Sequence, residues 1–328
     1  MKRGQKTGSA GWMGVGMQCL TDAEIRDIHG ATLKVLQYTG VKMFSRESLE
    51  IMAAGGADVD FTASTVRIPS YLVEEAVDSA PSSLILAARD PSQDVLIGGK
   101  RVHFTTFGAG FYVDDPITGR RYSSTKTDVG LTALVCDALE SVSIFTGTLV
   151  ATDMPHDTSG LHEAEAFLLN TTKHCQHGHL SNGRDARKFY EMAMAIAGGA
   201  EQLRKRPIVS TMVCPSTPLQ FPAGVCEIIV ESARTGIPVN ILSMVMAGAT
   251  GPVTLAGTLV VHNAEVLAGI VLNQLTSKGA PVIYGSSSTL FDLHTLTAPV
   301  GAPELGMISA AAAELARFYL LPSYVGGT

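Results

Sequence analysis

From Ser141 onward the chain alternates short apolar runs with helical patterns, and this alternation narrows its fold more than any other feature. Runs at Ile144 to Val150, Cys175 to His179, Ile208 to Val213, Val239 to Leu242, Val282 to Gly285 and Ser323 to Val325 read as strands. Between them, Gly160 to Leu169, Asp185 to Ala197, Pro222 to Arg234, Pro252 to Leu275 and Pro303 to Tyr319 read as helices. Mostly short connections between alternating strands and helices are the mark of parallel βα repetition. Gly236-Ile237-Pro238 and Gly279-Ala280-Pro281 each set a turn directly before a strand. Neither GxGxxG nor GxxxxGK[ST] follows the first strand, which favours a barrel over an open nucleotide-binding sheet. The expected class is therefore α/β, a (β/α)8 TIM barrel present over 141–328 as about six of its eight units.

Residues 1–140 read as a separate N-terminal α+β region. Thr21-Asp22-Ala23-Glu24 is a capping box for a helix running to Tyr38 and stopped by Gly40. Ser45 caps a short second helix ended by Gly55-Gly56, and Ser70 to Ser79 reads as a third. Val95-Leu96-Ile97, Gly98-Gly99 and Arg101-Val102-His103-Phe104 signal a hairpin. Phe111-Tyr112-Val113 and Arg120-Arg121-Tyr122 signal another, joined by Asp115-Pro116-Ile117-Thr118-Gly119. This part carries no site motif.

Composition excludes several classes. Hydrophobic residues at 46% against charged residues at 16% suit a buried parallel sheet. A net charge of −6, with no basic run interleaved with aromatics, argues against nucleic-acid binding. Lys2, Arg3 and Lys6 are followed by Gly, Ser, Gln and Thr rather than an apolar core, so no secretory signal is read there. The apolar stretch from Ala256 to Leu275 is broken by His262, Asn263, Glu265 and Asn273, as in a buried helix rather than a membrane span. Cys19, Cys136, Cys175, Cys214 and Cys226 are widely spaced without a CxxC pair, which points to free thiols and a cytoplasmic protein.

Barrel chemistry sits at the C-terminal ends of strands. Here those places hold Thr148, Asp153, His177, His179, Cys214, Ser216, Ser243, Tyr284, Ser286 and Tyr324. Cys175, His177 and His179 alternate and so share one strand face. With Asp153 they offer ligand types for a metal, or they line a hydrated barrel mouth; no HExxH or CxxC supports the metal, and none is expected. Lys173, Lys188, Lys205 and Lys278 fall in helices or turns, leaving no strand-end amine for a Schiff base. Glu304 opens the last helix, where the macrodipole favours it without any function, although a carboxylate there also suits a cationic substrate. Tyr284 and Tyr324 are either packing or aromatic faces for an alkylammonium ion. His262 and Glu265, at i and i+3, read as a satisfied buried pair.

The block His262-Asn263-Ala264-Glu265-Val266-Leu267-Ala268-Gly269-Ile270-Val271-Leu272, followed by Gly279-Ala280-Pro281-Val282-Ile283-Tyr284-Gly285, resembles the trimethylamine:corrinoid-protein methyltransferases. So do Asn170-Thr171-Thr172-Lys173-His174, Gly301-Ala302-Pro303-Glu304 and the final Leu321-Pro322-Ser323-Tyr324-Val325-Gly326-Gly327. The resemblance runs from about Leu20 to the end. It implies a TIM barrel with extra N-terminal structure. The reaction it implies moves a methyl group from trimethylamine to the cobalt of a separate corrinoid protein, in methylamine metabolism and methanogenesis.

The same resemblance implies a catalytic pyrrolysine shortly after the motif that ends this chain. Thr328 is accordingly expected to precede an amber codon, with two further βα units beyond it and no activity in this chain alone. Glu304, Tyr284 and Tyr324 lie inside the matched motifs and are the expected amine contacts; His177 and His179 join them on strand geometry alone. A corrinoid (cobalamin) is expected from the partner protein, not bound tightly here. Asp27-Ile28-His29 and Asp292-Leu293-His294 approach a DxHxxG signature, but Thr32 and Thr297 stand where it needs Gly. Further expectations are a homo-oligomer at full length and no nucleic-acid or membrane partner. The alternatives are a pyrrolysine-free relative acting on glycine betaine or another quaternary amine, a non-catalytic binder of amines or the corrinoid protein, and a metal-dependent barrel hydrolase using His177 and His179.

Overall fold

A computed structural model describes residues 18–327. The readings made at Lys2, Arg3, Lys6 and Thr328 lie outside the described residues. The alternating series is present as strands β1 (Val142–Thr146), β2 (His174–His177), β3 (Val209–Val213), β4 (Val239–Ser243), β5 (Val282–Ser286) and β6 (Ser323–Val325). Helices α1 (Ser159–Asn170), α2 (Gly183–Ala197), α3 (Ala223–Thr235), α4 (Leu255–Thr276) and α5 (Pro303–Phe318) intervene. A short helix, Ala200–Lys205, and the two-residue strands Gln220–Phe221, Met246–Ala247 and Thr289–Leu290 are additions the sequence pattern did not suggest.

The chain divides into two compact units, each discontinuous in sequence. One holds Leu84–Met212 with Thr235–Ile237; the other holds the described residues up to Ser83, Val213–Arg234 and Pro238 onward.

In the first unit β1, β2 and β3 run parallel, with His174 opposite Ile144, Gln176 opposite both Thr146 and Ser210, and His177 opposite Thr211. Residues in register share a face, so Thr146, Gln176 and Ser210 lie on one side and Phe145, His177 and Thr211 on the other. The second side takes the helices: Phe167 of α1 meets Phe145 at 5.7 Å and Phe189 of α2 at 6.1 Å between ring centroids. Asn182 caps α2 by accepting from the Asp185 N–H, and Gly198 closes it in the left-handed region at φ 86°.

The expected hairpin at Val95 to Phe104 does not form. Val95–Ile97 pairs antiparallel with Leu84–Leu86, and Phe104–Thr105 joins β1 in parallel. Gly98 and Gly99 do make a turn, at φ 116° and 65°, but it hands the chain on rather than back. The second hairpin is present as Tyr112–Asp114 with Arg121–Ser123.

In the second unit β4, β5 and β6 run parallel, with Ile241 opposite Tyr284, Leu242 opposite Gly285, and Gly285 opposite Tyr324. Gln220–Phe221 adds to an antiparallel set of Val41–Met43, Thr65–Arg67 and Asp58–Asp60. The Thr21 capping box is formed as read, and Ser45 accepts from the Ser48 N–H. Helix Asp22–Lys34 gives way to a wider turn at Val35–Thr39, and Gly40 ends it at φ 77°. A β-carbon there would lie 2.4 Å from the Val66 carbonyl oxygen, so only glycine fits.

Helix α4 is apolar all round because it is buried all round, from Asn263 to Leu272 without an exposed residue. It is also the one described helix long and apolar enough to cross a membrane, with 72% of that window buried inside the protein. Each fully buried Leu, Ile or Val on it contributes about 1.5–3 kcal/mol against exposure.

Candidate functional site

The strand ends of the first unit carry two chemically different faces. On the face away from α1 and α2, the His174 Nδ1–H donates to the Ala87 carbonyl at 3.0 Å, and its Nε2 accepts from the Ser210 hydroxyl at 2.9 Å. Full burial holds that ring neutral, with its pKa lowered to about 4. Thr146 Oγ1 links Gln176 Oε1 at 3.4 Å to Thr105 Oγ1 at 2.8 Å.

The helix-facing side holds Cys175 and His177, which corrects the expectation that His177 lines a barrel mouth. Strand alternation places Cys175 and His177 together as read, but that shared face looks at α1 and α2. His177 has no exposed surface and packs edge-on to Phe167 at 5.2 Å and Phe189 at 5.3 Å. Its Nε2–H donates to the Gly160 carbonyl at 2.8 Å, while its Nδ1 is buried without a hydrogen-bond partner. His179 lies just past the strand, and its Nδ1 meets Glu163 Oε2 at 2.8 Å. Glu163 is almost wholly buried, and its other oxygen accepts from the Ala151 N–H at 3.0 Å.

Asp153 does not join this group; it accepts from the Lys126 N–H at the start of helix Lys126–Ala138. Cys175 is sealed in, and burial pushes its thiol up to about 12. Lys173 stands at the opposite strand end, where its ammonium donates to the Cys136 and Leu139 carbonyls at 2.6 Å each. It caps a helix rather than offering an amine to a substrate.

In the second unit the helix-facing side of β4 and β5 holds a continuous polar network. Tyr284 is fully buried and donates to Asn263 Oδ1 at 2.8 Å; Asn263 Nδ2 donates to Tyr319 Oη at 2.8 Å and to Thr32 Oγ1 at 3.0 Å. His29 Nδ1 meets the Tyr319 hydroxyl at 2.9 Å. Tyr284 is therefore not an open strand-end ring: its hydroxyl is spent on α4, and burial raises its pKa. This corrects its reading as an amine contact.

His262 and Glu265 are both buried but do not pair with each other. His262 Nδ1 meets Ser288 Oγ at 3.3 Å, and burial lowers its pKa to about 3. Glu265 accepts from the Ser243 hydroxyl at 2.6 Å, the Leu219 N–H at 2.9 Å and the Thr217 hydroxyl at 3.0 Å. It thereby fixes the loop after β3, and burial raises its own pKa.

The opposite face of β4, β5 and β6 carries Asn240, Leu242, Ile283, Gly285 and Tyr324. Tyr324 is half-buried there, in register with Gly285 and Leu242. Asn240 on the same face has no exposure, and neither its Oδ1 nor its Nδ2 has a hydrogen-bond partner. Gly285 makes room for that amide: a β-carbon at 285 would lie 2.2 Å from Asn240 Oδ1. Sequence reading passed over Asn240, because a polar residue inside an apolar strand run was the sole sign of it. Glu304 is half-buried in the first turn of α5, directly after Pro303 at the helix start. Of the residues expected to hold an amine, Tyr324 and Glu304 thus keep accessible surface on this unit, and Tyr284 does not.

A family model described as trimethylamine methyltransferase matches residues 13–328. The chain belongs to this family. The trimethylamine methyltransferase MttB of Desulfitobacterium hafniense is 50% identical over 314 residues, covering 96% of this chain and 63% of that protein. MttB of Methanosarcina thermophila is 43% identical over 321 residues, covering 96% of this chain and 66% of that protein. A glycine betaine methyltransferase of Desulfitobacterium hafniense is 34% identical over 310 residues, covering 94% and 64%. The chain thus spans just under two thirds of these relatives' length. Among solved structures, the Methanosarcina barkeri monomethylamine methyltransferase MtmB aligns at a TM-score of 0.52 with 12% identity, covering 98% of this chain and 69% of that one. A hydroxylamine complex of MtmB gives 0.55 with 12% identity, covering 92% and 65%. At such identity the likeness speaks for fold, and it agrees with the TIM-barrel class read from the strand–helix series.

Proposed function

We propose that this chain forms the amine-binding part of a methyltransferase that moves a methyl group from trimethylamine to the cobalt of a separate corrinoid protein. The observation that carries the substrate choice is the identity gradient, 50% to a trimethylamine methyltransferase against 34% to a glycine betaine methyltransferase over nearly the same residues. Tyr324 and Glu304 are its proposed contacts, the ring face and the carboxylate both favouring a cationic nitrogen.

The chemistry asks for such contacts. A neutral tertiary amine is a poor leaving group, so its nitrogen must carry positive charge before the methyl carbon is attacked. Bonding to an electrophile would place that charge, and a lysine amine, itself a nucleophile, does not serve for this. Pyrrolysine, with its electrophilic imine carbon, is the residue the family resemblance implies for that task, and it is proposed to act alongside this chain's contacts. A corrinoid's reduced cobalt supplies the nucleophile. The residues here hold and orient the amine so that its methyl carbon meets that nucleophile in line.

The test is methylcobalamin formation with the full-length protein and its reduced corrinoid protein. Turnover with trimethylamine, and a raised KM in Tyr324→Leu, are the expected results. Turnover with glycine betaine alone would overturn the substrate. Binding of the corrinoid protein without any methyl transfer would make the protein a binder. Pyrrolysine detected in the mass of the full-length product is the expected result for the activating residue.

A further inference from the structure

The cluster behind β2 has a donor set that the proposed methyl transfer leaves unused. One ligand atom each from Glu163, His177 and His179 lie within 4.8 Å of one another. The tautomer of His177 follows from its neighbours. A carbonyl oxygen only accepts, so the bond to Gly160 fixes the proton on Nε2 and leaves Nδ1 with a free lone pair. That lone pair is buried and meets no donor.

We propose that Glu163, His177 and His179 form a binding site for a divalent transition-metal ion of the zinc type. Two imidazoles and one carboxylate make a mixed nitrogen and oxygen set that zinc accepts, with a fourth position left for water. The surroundings have the form that metal ligands require. His177 gives its second ring nitrogen to the Gly160 carbonyl, and Glu163 has its second oxygen held by the Ala151 N–H. Phe167 and Phe189 fix the His177 ring from both helices. The His179 side chain keeps 22% exposure and provides the way in.

A bare His179–Glu163 pair accounts for only part of this geometry. It satisfies Glu163 and half of His179, and it leaves the Nδ1 of His177 with nothing to do. Gly160 adds to the argument, because a β-carbon there would lie 2.6 Å from the His179 carbonyl and 3.6 Å from His177 Nε2. The start of α1 is held close to the end of β2 by a residue with no side chain.

The experiment uses the full 328-residue chain, stripped with a chelator and titrated first with Co2+ and then with Zn2+. Expected are one saturable equivalent of Co2+ with visible ligand-field absorption, its displacement by Zn2+, and a melting temperature that rises with the metal. His179→Ala and Glu163→Gln, the first at a part-exposed position and the second near-isosteric, should keep the wild-type circular dichroism. They should weaken binding by at least the roughly 10- to 100-fold that loss of even an outer partner costs. His156→Ala, at a fully exposed histidine, should leave binding unchanged. No saturable equivalent in the wild-type chain, or equal binding by His179→Ala and Glu163→Gln, would overturn the site.

Discussion

Behind β2, in the unit that holds Leu84–Met212, a histidine is packed among phenylalanine rings, whereas behind β5, in the other unit, a tyrosine is packed among hydrogen-bonding side chains. Both positions are strand residues facing a helix layer, and both are fully buried. Around Tyr284 the side chains of Asn263, Tyr319, Thr32 and His29 bond one another, while His262, packed on the Tyr284 ring, keeps a buried Nε2 without a partner. Around His177 one nitrogen is left over. A linked network favours one arrangement, while a leftover ring nitrogen beside a carboxylate and a second imidazole is a capacity for a ligand.

The largest test of this contrast is Glu265→Ala. It removes the acceptor of three donors, a buried one from Ser243 and half-buried ones from Thr217 and Leu219. Denaturant unfolding should record a loss of about 4 kcal/mol; a loss below about 1 kcal/mol would mean that the network is not the support described.

Acid comes next. His174 is held neutral down to about 4 and His262 to about 3, while in the unfolded chain each titrates near 6.5. Between those values the unfolded state binds the extra proton, so stability falls as pH drops below 6.5 and is unchanged by this cause above it. Each ring should cost about 3 kcal/mol by pH 4. Measured stability that stays flat from pH 6.5 to 4 would contradict the burial of both rings.

Lys173→Met should cost about 2 kcal/mol, since two carbonyls at the end of helix Lys126–Ala138 lose a charged donor. The smallest effect is expected for Tyr284→Phe, about 1 kcal/mol, because one hydrogen bond goes while the ring stays. If Tyr284→Phe instead cost more than Lys173→Met in the same unfolding series, the tyrosine network would be the stiffer of the two supports.

The strand–helix series was legible because each element carries its own period and its own boundary residues. Asn182, Gly198, Pro303 and the Gly-x-Pro turns mark ends whatever the tertiary context. Pairing was less legible: Gly98-Gly99 has true turn chemistry, yet Val95–Ile97 finds its partner upstream, in Leu84–Leu86. Alternation places Cys175 and His177 on one face, and Tyr284 and Gly285 on opposite faces. It does not say which face meets helices, because a parallel strand is buried on both sides. Hence His177 and Tyr284 were read as open to a substrate and lie against helices. Glu163 escaped notice for a different reason, since its link to His179 spans two elements and forms no local motif.

Thr32, near the beginning, accepts its hydrogen bond from Asn263, 231 residues later in the chain. The unit built on Leu84–Met212 begins after the N-terminal helices and is almost wholly made before β4 is synthesised. At roughly 5–20 residues per second, the first helix emerges about 10 to 50 s before its buried partner exists. For that interval Ile25 and Ile28, buried in the finished fold, wait for the surface of α4. The unit that holds the earliest described helix is thus the one completed last.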